Sequence, residues 1–463
     1  MPLKRACPMI DLRPLLLVAA GLAGCGSEAQ EAADERPNLL VIYTDDQRFD
    51  AWSMGGSPYI ETPHLDRIAQ EGAWFPRSYA STSRCCPSRA SFLTGMSSHS
   101  TGVISNHPDF DVLERHPSFV DALDQAGYDT AYIGKWHLPN AGAQPVRGFD
   151  HWVSYEGPGK HFDQSFNVDG EMRTSTGHQA DLLVDYALEF ISQERDGPFC
   201  LIVAFKNPHV PLTPAAPFAG SIDPASVRLP ASLDDDPASL NGFYARLVTS
   251  EDSRHAIEDR EAFKAEVAHY NELVLSVDAG VGRLFDALET SQQLDQTAIL
   301  FTTDNGQLLG EHGLQQKGIS YEPSIRTPLA MRLPGRIPAG TRAPGLALNL
   351  DLAPTLLELA GVAPLKPMDG RSLLPELTGK AEGRERFLYL APGFGGGKVV
   401  ERAMVERRYK YVRLHAEGHT EEMLFDLEQD PDERVNLMRR PALQSEVVRL
   451  RDLMDAELSR LGE

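Results

Sequence analysis

The chain has 463 residues, of which 42% are hydrophobic and 24% are charged, a composition that is typical of a folded protein and excludes a disordered chain or a fibre. Its 44 basic and 66 acidic residues give a formal net charge of −22 at pH 7. Because such a surface repels phosphate backbones and the sequence shows no compensating basic patch, we predict no nucleic-acid partner.

The N-terminus predicts a targeting segment. A basic start precedes the apolar run 15–24, which is too short for an ordinary membrane span but fits the core of a signal peptide. The run ends in LAGC at Cys25 and resembles the bacterial lipoprotein processing box, in which the cysteine receives a lipid; a plain secretory signal is the alternative. We therefore predict a signal peptide over 1–24 and a polar tether over 25–36. The protein would be exported and held to the membrane by a lipid on Cys25, at the bacterial cell envelope, either on its periplasmic face or at the cell surface.

Beyond the tether, buried strands alternate with helices. Continuous apolar runs rich in β-branched residues predict strands at 38–44, 128–133, 199–205, 297–303 and 328–333. Helical periodicity and terminal residues predict helices at 62–72, 118–127, 179–193, 257–289 and 351–361. The alternation predicts an α/β fold with a large, mostly parallel sheet sandwiched by helices.

The pattern changes near residue 375. Short strands at hairpin spacing are predicted at 387–390, 403–405 and 409–414, and an amphipathic helix follows at 441–461. We therefore predict a larger domain over 37–374 and a smaller α+β C-terminal subdomain over 375–463.

Acidic and amide side chains follow two of the predicted strands. Asp45 and Asp46 come at the end of the first strand, and Asp304 and Asn305 directly follow the strand at 297–303. The carboxyl ends of parallel strands form the edge of a sheet where ligands bind, so these oxygens could converge on one divalent cation. Carboxylate and amide oxygens suit Ca²⁺ or Mg²⁺ better than zinc. The alternative is that each acid caps a nearby helix.

Basic and imidazole side chains also follow strands. Lys135 and His137 come after the strand at 128–133, His209 comes after the strand at 199–205, and Lys317 lies thirteen residues beyond Asp304. Together they could bind an anion above the metal and protonate a leaving group. Taken singly, each is as compatible with a solvated lysine or a hydrogen-bonded histidine.

The segment 85–95 carries the most specific motif. Its sequence, CCPSRASFLTG, resembles the Cys-x-Pro-Ser-Arg signature of the type I, formylglycine-dependent sulfatases, which belong to the alkaline-phosphatase-like superfamily. Only Cys85, and not Cys86, has proline two positions and arginine four positions further on. The alternative for the two cysteines is a vicinal disulfide or two buried thiols. Further segments that resemble the family lie at 37–46, 62–66, 134–137, 208–211, 303–306, 309–313 and 425–437.

The resemblance implies a mechanism and a site. In that family a maturation enzyme converts the cysteine to formylglycine, whose hydrate attacks sulfur. One Ca²⁺, with Mg²⁺ as the other possibility, would be held by Asp45, Asp46, Asp304, Asn305 and the modified residue 85. The implied catalytic residues are Cys85, Arg89, Lys135, His137, His209 and Lys317.

The roles of these residues are likewise implied by the resemblance. Arg89 would acidify the nucleophile, and with Lys135 it would offset charge on the sulfuryl oxygens. Either His209 or Lys317 would protonate the departing ester oxygen, and His137 would assist the later release of sulfate.

Two segments point to a substrate. The double cysteine and the stretches 147–154 and 166–170 are similar to the N-acetylglucosamine-6-sulfatase branch of the family. Candidates for the wall that meets a sulfated sugar or glycan are His151, Trp152, Tyr155, His161 and His178. The alternative is that these side chains only pack the loop.

Two competing functions remain at this stage. Phosphodiesterases and phosphonate monoester hydrolases share the superfamily, and some use the modified cysteine, although two-metal phosphatases need more Asp and His ligands than we find. A non-enzymatic glycan-binding lipoprotein is less compatible with the sequence, because a degenerate relative would have lost ligands or the cysteine motif, and this chain has lost neither.

Overall fold

The computed structural model describes most of the chain beyond the tether. The described residues are 36–139, 143–236, 257, 259–394, 399–416 and 418–462. The predicted signal peptide and Cys25 lie outside the described residues, so both stay predictions. Among the residues that the structure describes, no helix combines the length and the apolar character needed to cross a bilayer.

The described part of the chain folds into strands and helices that alternate along most of its length. The strands are β1 (Asn38–Asp45), β2 (Ala73–Trp74), β3 (Ser78–Tyr79), β4 (Asp129–Gly134), β5 (His151–Ser154), β6 (Ser165–Val168), β7 (Glu171–Thr174), β8 (Phe199–Pro208), β9 (Thr297–Thr303), β10 (Leu308–Leu309), β11 (Gln315–Gln316), β12 (Arg326–Thr327), β13 (Leu329–Arg332), β14 (Thr341–Arg342), β15 (Ala347–Leu348), β16 (Arg386–Phe394), β17 (Val399–Glu406), β18 (Tyr409–Ala416) and β19 (His419–Asp426). The α-helices are α1 (Pro63–Gln70), α2 (Cys85–Thr94), α3 (Ser98–Thr101), α4 (Val112–Arg115), α5 (Phe119–Gln125), α6 (Gln179–Ile191), α7 (Arg260–Thr290), α8 (Glu322–Ile325), α9 (Leu352–Ala360), α10 (Leu374–Leu377) and α11 (Gln444–Leu461).

A ten-stranded sheet forms the centre of the fold. Its strand order is β14–β2–β13–β9–β1–β8–β4–β5–β6–β7. The five central strands from β9 to β5 are parallel, whereas β13 on one side and β6 and β7 on the other pair antiparallel. The prediction of a large, mostly parallel sheet is therefore confirmed, with antiparallel strands added at both flanks.

Helices cover both faces of this sheet. Side chains alternate along β1, so Leu39 and Val41 pack with α2, α5 and α9, whereas Leu40 and Ile42 pack with α1, α6 and α7. All four side chains are at most 1% exposed, and burial of each contributes roughly 1.5–3 kcal/mol. Burial on both faces explains why the central strands have continuous apolar sequences.

The C-terminal region contains a separate four-stranded antiparallel sheet of β16–β17–β18–β19. One face packs on Tyr79, Leu308 and Leu314 of the main body, and α11 covers the other face through Val447 and Leu450. The predicted antiparallel strands and helix are present. A fourth strand, β19, was not predicted because the outer half of HTEEMLFD is polar and exposed. The boundary at residue 375 stays a prediction.

Candidate active site

The candidate site lies at the carboxyl edge of four adjacent parallel strands, β9, β1, β8 and β4. Asp304 and Asn305 follow β9, Asp45 ends β1 and precedes Asp46, His209 follows β8, and Lys135 follows β4. Each of these groups is fixed by a strand that is buried on both faces. The parallel register thus brings together residues that lie as far as 259 positions apart, such as Asn305 and Asp46.

The backbone turns sharply as it leaves these strands. Asp46 and His137 adopt left-handed conformations with φ of 66° and 56°, which cost on the order of 1–3 kcal/mol for residues other than glycine. Gly134 has φ of 128°, and a Cβ atom there would lie 1.9 Å from the carbonyl oxygen of Ala204. Glycine at this position lets β4 pass close to β8 and direct Lys135 into the site.

Helix α2 brings the cysteine motif to the same edge. Every residue of α2 is buried, so its polar and apolar residues are not separated onto a solvent face and a core face. Cys85 is its first residue and Arg89 lies one turn later on the same side. The Cys85 Sγ atom lies 3.9 Å from Oδ1 of Asp46. Cys85, Cys86 and Cys200 are free thiols, so the structure contains no vicinal disulfide.

Three acids and one amide form a buried network. The backbone N–H groups of Asp46 and Asn305 donate to Oδ1 of Asp304 over 3.1 and 2.8 Å, and Nδ2 of Asn305 donates to Oδ1 of Asp46 over 2.7 Å. Asp45, Asp46, Asp304 and Asn305 are all at most 3% exposed. These acids therefore do not act as simple helix caps.

Cationic side chains surround the acids. Lys135 Nζ donates to Asp45, and Lys317 Nζ donates to Asp46. Nε of Arg89 lies 3.0 Å from Asp304, and another of its guanidinium nitrogens lies 3.4 Å from Asp45. Three carboxylates are thus matched by three cations in a region almost closed to solvent. An anionic substrate would compete for the same cations.

The pKa values of two acids diverge. Burial would raise the pKa of Asp45, but the positive charges of Lys135, Arg89 and Lys317, with Lys135 the largest contributor, outweigh it and hold that pKa well below its usual range. Burial and then the neighbouring Asp45 raise the pKa of Asp304 to about 7. Burial also raises the pKa of the Cys85 thiol, so an unmodified cysteine would be a poor nucleophile there.

The donor set fits a hard divalent cation. One ligand atom each from Asp45, Asp46, Cys85 and His209 lies within 4.8 Å of the others. Oδ1 of Asn305 is buried and has no hydrogen-bond partner among the described residues. Carboxylates together with an unpartnered amide oxygen are ligands that Ca²⁺ and Mg²⁺ prefer. The residues therefore form a candidate acidic metal site.

The two ring nitrogens of His209 face different groups. Its Nδ1 lies 2.7 Å from the carbonyl oxygen of Val210, which can only accept, so this contact is a hydrogen bond in the tautomer with the proton on Nδ1. Nε2 faces Oδ2 of Asp46 at 3.6 Å. Burial lowers the pKa of His209 to about 4, so the ring is neutral at pH 7 and presents a lone pair to the site. His137 is also neutral, since burial lowers its pKa to about 2.

Two of the five substrate-wall candidates, His161 and His178, lie beside His209, and a third, Tyr155, contacts Gln179, the residue after His178. Nε2 of His161 donates to the carbonyl oxygen of His209 over 2.8 Å, and the rings of His161 and His178 stack with centroids 5.7 Å apart. Tyr155 is buried, and its hydroxyl lies 3.5 Å from Oε1 of Gln179. His161 therefore holds the backbone of His209, and His178 stacks on His161.

The structure does not bring the other two candidates into the site. His151 begins β5, at the end of the strand away from the site, where its Nε2 contacts Asp129 at 3.2 Å. Trp152 is 1% exposed, stacks on Tyr132 and donates to the carbonyl oxygen of Ala143. For these two residues the geometry matches the packing alternative.

Sequence reasoning missed two residues that contact the site. Lys206, on β8, is fully buried, donates to the carbonyl oxygen of Val210 over 2.7 Å and lies 3.5 Å from Nδ1 of His209. The sequence feature that could have identified Lys206 is a charged residue in an otherwise apolar strand. Tyr270 of α7 donates to the carbonyl oxygen of Asp46 over 2.6 Å. It lies on a long amphipathic helix, where the sequence gives no local signal.

A cavity opens at His137. Its volume is about 330 Å³, and its lining includes Asn106, Trp136, His137, Tyr155 and Glu156. It is of a size that small-molecule sites commonly have, and it mixes aromatic and polar groups. The site therefore has a charged end that suits a tetrahedral anion and an adjoining space for the group that carries it.

Comparisons with known proteins agree with this geometry. The sulfatase family profile matches residues 37–362, and the profile of the N-sulphoglucosamine sulphohydrolase C-terminal region matches residues 310–460. The chain is 31% identical to an N-acetylglucosamine-6-O-sulfatase of Bacteroides thetaiotaomicron and 31% identical to a choline-sulfatase of Rhizobium meliloti. Each alignment covers 91% of this chain and 86% of the relative.

A solved structure is similar over nearly the whole fold. It is a complex with its substrate D-glucosamine-2-N,6-O-disulfate, and it superposes with a TM-score of 0.82 at 29% identity over 92% of this chain and 98% of that one. The family profile spans the strands, the cysteine motif and the acids described above. The chain therefore belongs to the sulfatase family, and it is a sulfuric ester hydrolase of the alkaline-phosphatase-like fold.

Proposed function

We propose that this enzyme hydrolyses a sulfate monoester on a sugar or glycan, with formylglycine made from Cys85 and one Ca²⁺. The observation that carries the proposal is the position of Cys85 at the head of α2, 3.9 Å from the Asp46 carboxylate. Arg89, one turn further, is bonded to Asp304. The residue that the signature marks for modification therefore lies against the candidate metal ligands.

Two groups would complete the site. Ca²⁺ held by Asp45, Asp46, Asp304, Asn305 and the modified residue 85 would supply Lewis-acid stabilisation of negative charge. Formylglycine at position 85 would supply a nucleophile that can release sulfate without attack of water at sulfur, which neither serine nor cysteine can do.

Cationic side chains of the chain itself would bind the sulfuryl group. Lys135 and Arg89 are fixed by buried bonds to Asp45 and Asp304, so their positive charges are already oriented before substrate arrives. Preoriented charges of this kind stabilise developing negative charge without reorganisation. His137, at the mouth of the 330 Å³ cavity, would assist the release of sulfate.

The geometry favours Lys317 over His209 as the proton donor to the leaving ester oxygen. The neutral His209 ring has its proton on Nδ1, directed at Val210, and turns a lone pair toward the site. The Lys317 ammonium donates to Asp46 and is 14% exposed, so it presents protons at the open side.

Several observations support a sugar as the substrate. The relatives with 31% identity include an enzyme named for N-acetylglucosamine 6-sulfate, and the similar solved complex holds a sulfated glucosamine. The cavity beside His137 contains Trp136 and Tyr155, and aromatic side chains together with polar groups suit a sugar ring. Because a choline-sulfatase has the same 31% identity to this chain, choline sulfate is the substrate to compare with a sugar sulfate.

Peptide mass spectrometry of residues 85–89 tests the modification. The enzyme should be made in a host that contains a formylglycine-generating enzyme, and trypsin should release the peptide that follows Arg84. We expect residue 85 to have lost sulfur and two hydrogens and gained oxygen, while Cys86 stays a thiol. Two intact cysteines in protein that still turns over substrate would overturn the mechanism.

Sulfate release from paired substrates tests the reaction and the substrate class. N-acetylglucosamine 6-sulfate should be hydrolysed faster than choline sulfate, and 4-nitrophenyl sulfate faster than 4-nitrophenyl phosphate. Preference for the phosphate, or for a phosphonate or phosphate diester, would indicate a phosphodiesterase or phosphonate monoester hydrolase.

We also infer that the enzyme is exported and anchored by a lipid on Cys25 at the cell envelope. The support is the sequence: a basic start, a short apolar run and the LAGC box before a polar tether.

A further inference from the structure

Lys317 lies in a segment without regular structure. It directly follows β11, and the chain then runs through residues 318–321 to the short helix α8. Gln316 and Gly318 on either side have left-handed backbone conformations, with φ of 72° and 102°. Neither a strand nor a helix therefore fixes the direction of the Lys317 side chain, and contacts of the loop must do so. The Gly318 N–H donates to the hydroxyls of Ser83 and Ser324 over 3.1 and 3.2 Å, and further contacts lie beyond Gly318.

The C-terminal sheet supplies contacts to both backbone polar groups of Ser320. Oε1 of Glu401, on β17, accepts the Ser320 N–H over 2.8 Å. Nζ of Lys410, on β18, donates to the Ser320 carbonyl oxygen over 2.6 Å. Two strands of a separate sheet thus hold the backbone three residues beyond Lys317.

A third C-terminal residue holds the end of the same segment. Oε2 of Glu433 accepts the backbone N–H of Glu322 over 2.7 Å. Nζ of Lys410 also lies 2.8 Å from a carboxylate oxygen of Glu322 and 2.8 Å from one of Glu433, so it forms ion pairs with both acids. Glu433 belongs to the C-terminal segment that resembles the family, for which the mechanism gives no role.

These bonds are shielded from water. Glu401 and Lys410 are fully buried, and Glu433 is 1% exposed. Buried charge-assisted hydrogen bonds are short, directional and strong, and their partners cannot be replaced by water when one is removed. They are therefore suited to fix a loop whose own sequence does not specify one conformation.

We propose that Glu401, Lys410 and Glu433 are positioning residues for Lys317, so that the C-terminal sheet sets the location of the proton donor. None of the three reaches the acids or the cysteine; each acts through the backbone of residues 320–322. The inference rests on the role of Lys317 in the proposed function. A displacement of about 1 Å in a catalytic group can lower a rate roughly 100-fold, so loss of one anchor should be measurable.

Glu401→Leu is the test variant and Glu401→Gln its matched control. The leucine cannot accept the Ser320 N–H, whereas the glutamine keeps an acceptor oxygen and loses only the charge. kcat and KM are measured for a sugar 6-sulfate, whose alkoxide leaves poorly, and for 4-nitrophenyl sulfate, whose leaving group needs little protonation. Glu401→Asp, one methylene shorter, replaces the leucine variant if the latter is obtained in too low a yield.

A displaced proton donor should lower kcat unequally for the two esters, whereas a general loss of structure should lower it equally. We expect Glu401→Leu to lower kcat for the sugar sulfate by roughly 10- to 100-fold, to affect 4-nitrophenyl sulfate much less, and to leave KM nearly unchanged. Glu401→Gln should restore most of the rate. Equal losses on both esters, or no rescue by glutamine, would overturn the inference, because unfolding removes all activities alike.

A double variant separates this inference from the proposed function. If Glu401 acts only through Lys317, Glu401→Leu should lower kcat no further in a Lys317→Ala background. A full additional loss in that background would refute the positioning role. If Lys317→Ala alone shows no selective loss on the sugar sulfate, the role of Lys317 in the proposed function is wrong instead.

Discussion

Two adjacent cysteines begin α2, but their surroundings differ. Sγ of Cys85 faces the Asp46 carboxylate, whereas Cys86 packs in the apolar cluster beneath the sheet and its N–H donates to Asn106. We expect Cys85→Ala to abolish sulfate release, because no other side chain can supply the nucleophile. Cys86→Ala should keep turnover and lower the free energy of unfolding by roughly 1 kcal/mol, the cost of one buried group of this size.

Steady-state sulfate release and denaturant unfolding of both variants check this expectation. Cys200→Ala is the control for loss of a buried thiol, since Cys200 is fully buried at the start of β8, the end of the strand away from the site. An equal loss of activity in the Cys85 and Cys86 variants would contradict the assignment of the modified position.

Among single residues, the sequence could predict those that stand out against their neighbours in the chain. Asp45 and Asp304 could be predicted because an acid at the end of a buried strand is unusual in an apolar stretch. The contribution of Tyr270 could not be predicted, because its hydroxyl reaches Asp46 from a helix 224 positions away in the chain. Likewise, His151 and Trp152 were predicted in the site, but only the strand register shows that they lie elsewhere.

The turn between β4 and Lys135 gives a prediction about an element. Gly134 has φ of 128°, and a Cβ there would lie 1.9 Å from the Ala204 carbonyl oxygen on β8. Gly134→Ala should therefore cost about 1–3 kcal/mol in backbone strain, and more once the two strands separate. We expect a lower midpoint of urea unfolding and a lower kcat, since Lys135 would move with the strand.

Gly197→Ala is the matched control. Gly197 lies just before β8, and a Cβ there would meet only the carbonyl oxygen of Gly127 at an ordinary 3.4 Å. Its effect on the free energy of unfolding should stay within about 0.5 kcal/mol. Similar destabilisation by both alanines would show that the close approach of β4 and β8 is not what makes Gly134 necessary.

Among the elements, the long and strongly patterned ones were predictable. The five strands that we predicted from continuous apolar runs and the helix α7 that we predicted from its periodicity are all present. The two-residue strands β2 and β14 were not predicted, because they are defined by their partners at the edge of the sheet and not by their own residues. The antiparallel direction of β13 could not be predicted either, because it depends on how the chain returns from β9 and not on the residues of β13.

The buried group of Glu322, Lys410 and Glu433 joins the C-terminal sheet to helix α8. Lys410 is the cation between two carboxylates, and all three side chains are at most 7% exposed. Lys410→Met would remove the shared cation from two buried acids, and Glu322 would keep Arg326, whose Nη1 lies 3.8 Å away, as its only cation among the described residues. The substitution should lower the free energy of unfolding by about 3–5 kcal/mol, measured by urea unfolding.

An exposed ion pair on the same subdomain is the control. Arg449 is 42% exposed and pairs with Glu406 at 2.6 Å. Arg449→Met should change the free energy of unfolding by only about 0–1 kcal/mol. If the Lys410 and Arg449 variants lower the free energy of unfolding equally, the buried group would not be a main connection between the C-terminal sheet and helix α8.

At the scale of the whole molecule, the attachment of the tether gives the last prediction. The predicted tether leads into β1, which begins at Asn38, whereas the candidate site starts where β1 ends at Asp45. Eight residues of extended strand separate these points by roughly 25 Å. The proposed reaction gives Cys25 no role, so loss of its lipid should leave the reaction unchanged. We expect Cys25→Ser to move the protein from the detergent phase to the aqueous phase in phase partitioning and to abolish labelling by a radioactive fatty acid, with kcat and KM unchanged.

Unaltered partitioning of the serine variant would show that the anchor lies elsewhere, and a change in kcat would show that the tether reaches the catalytic edge.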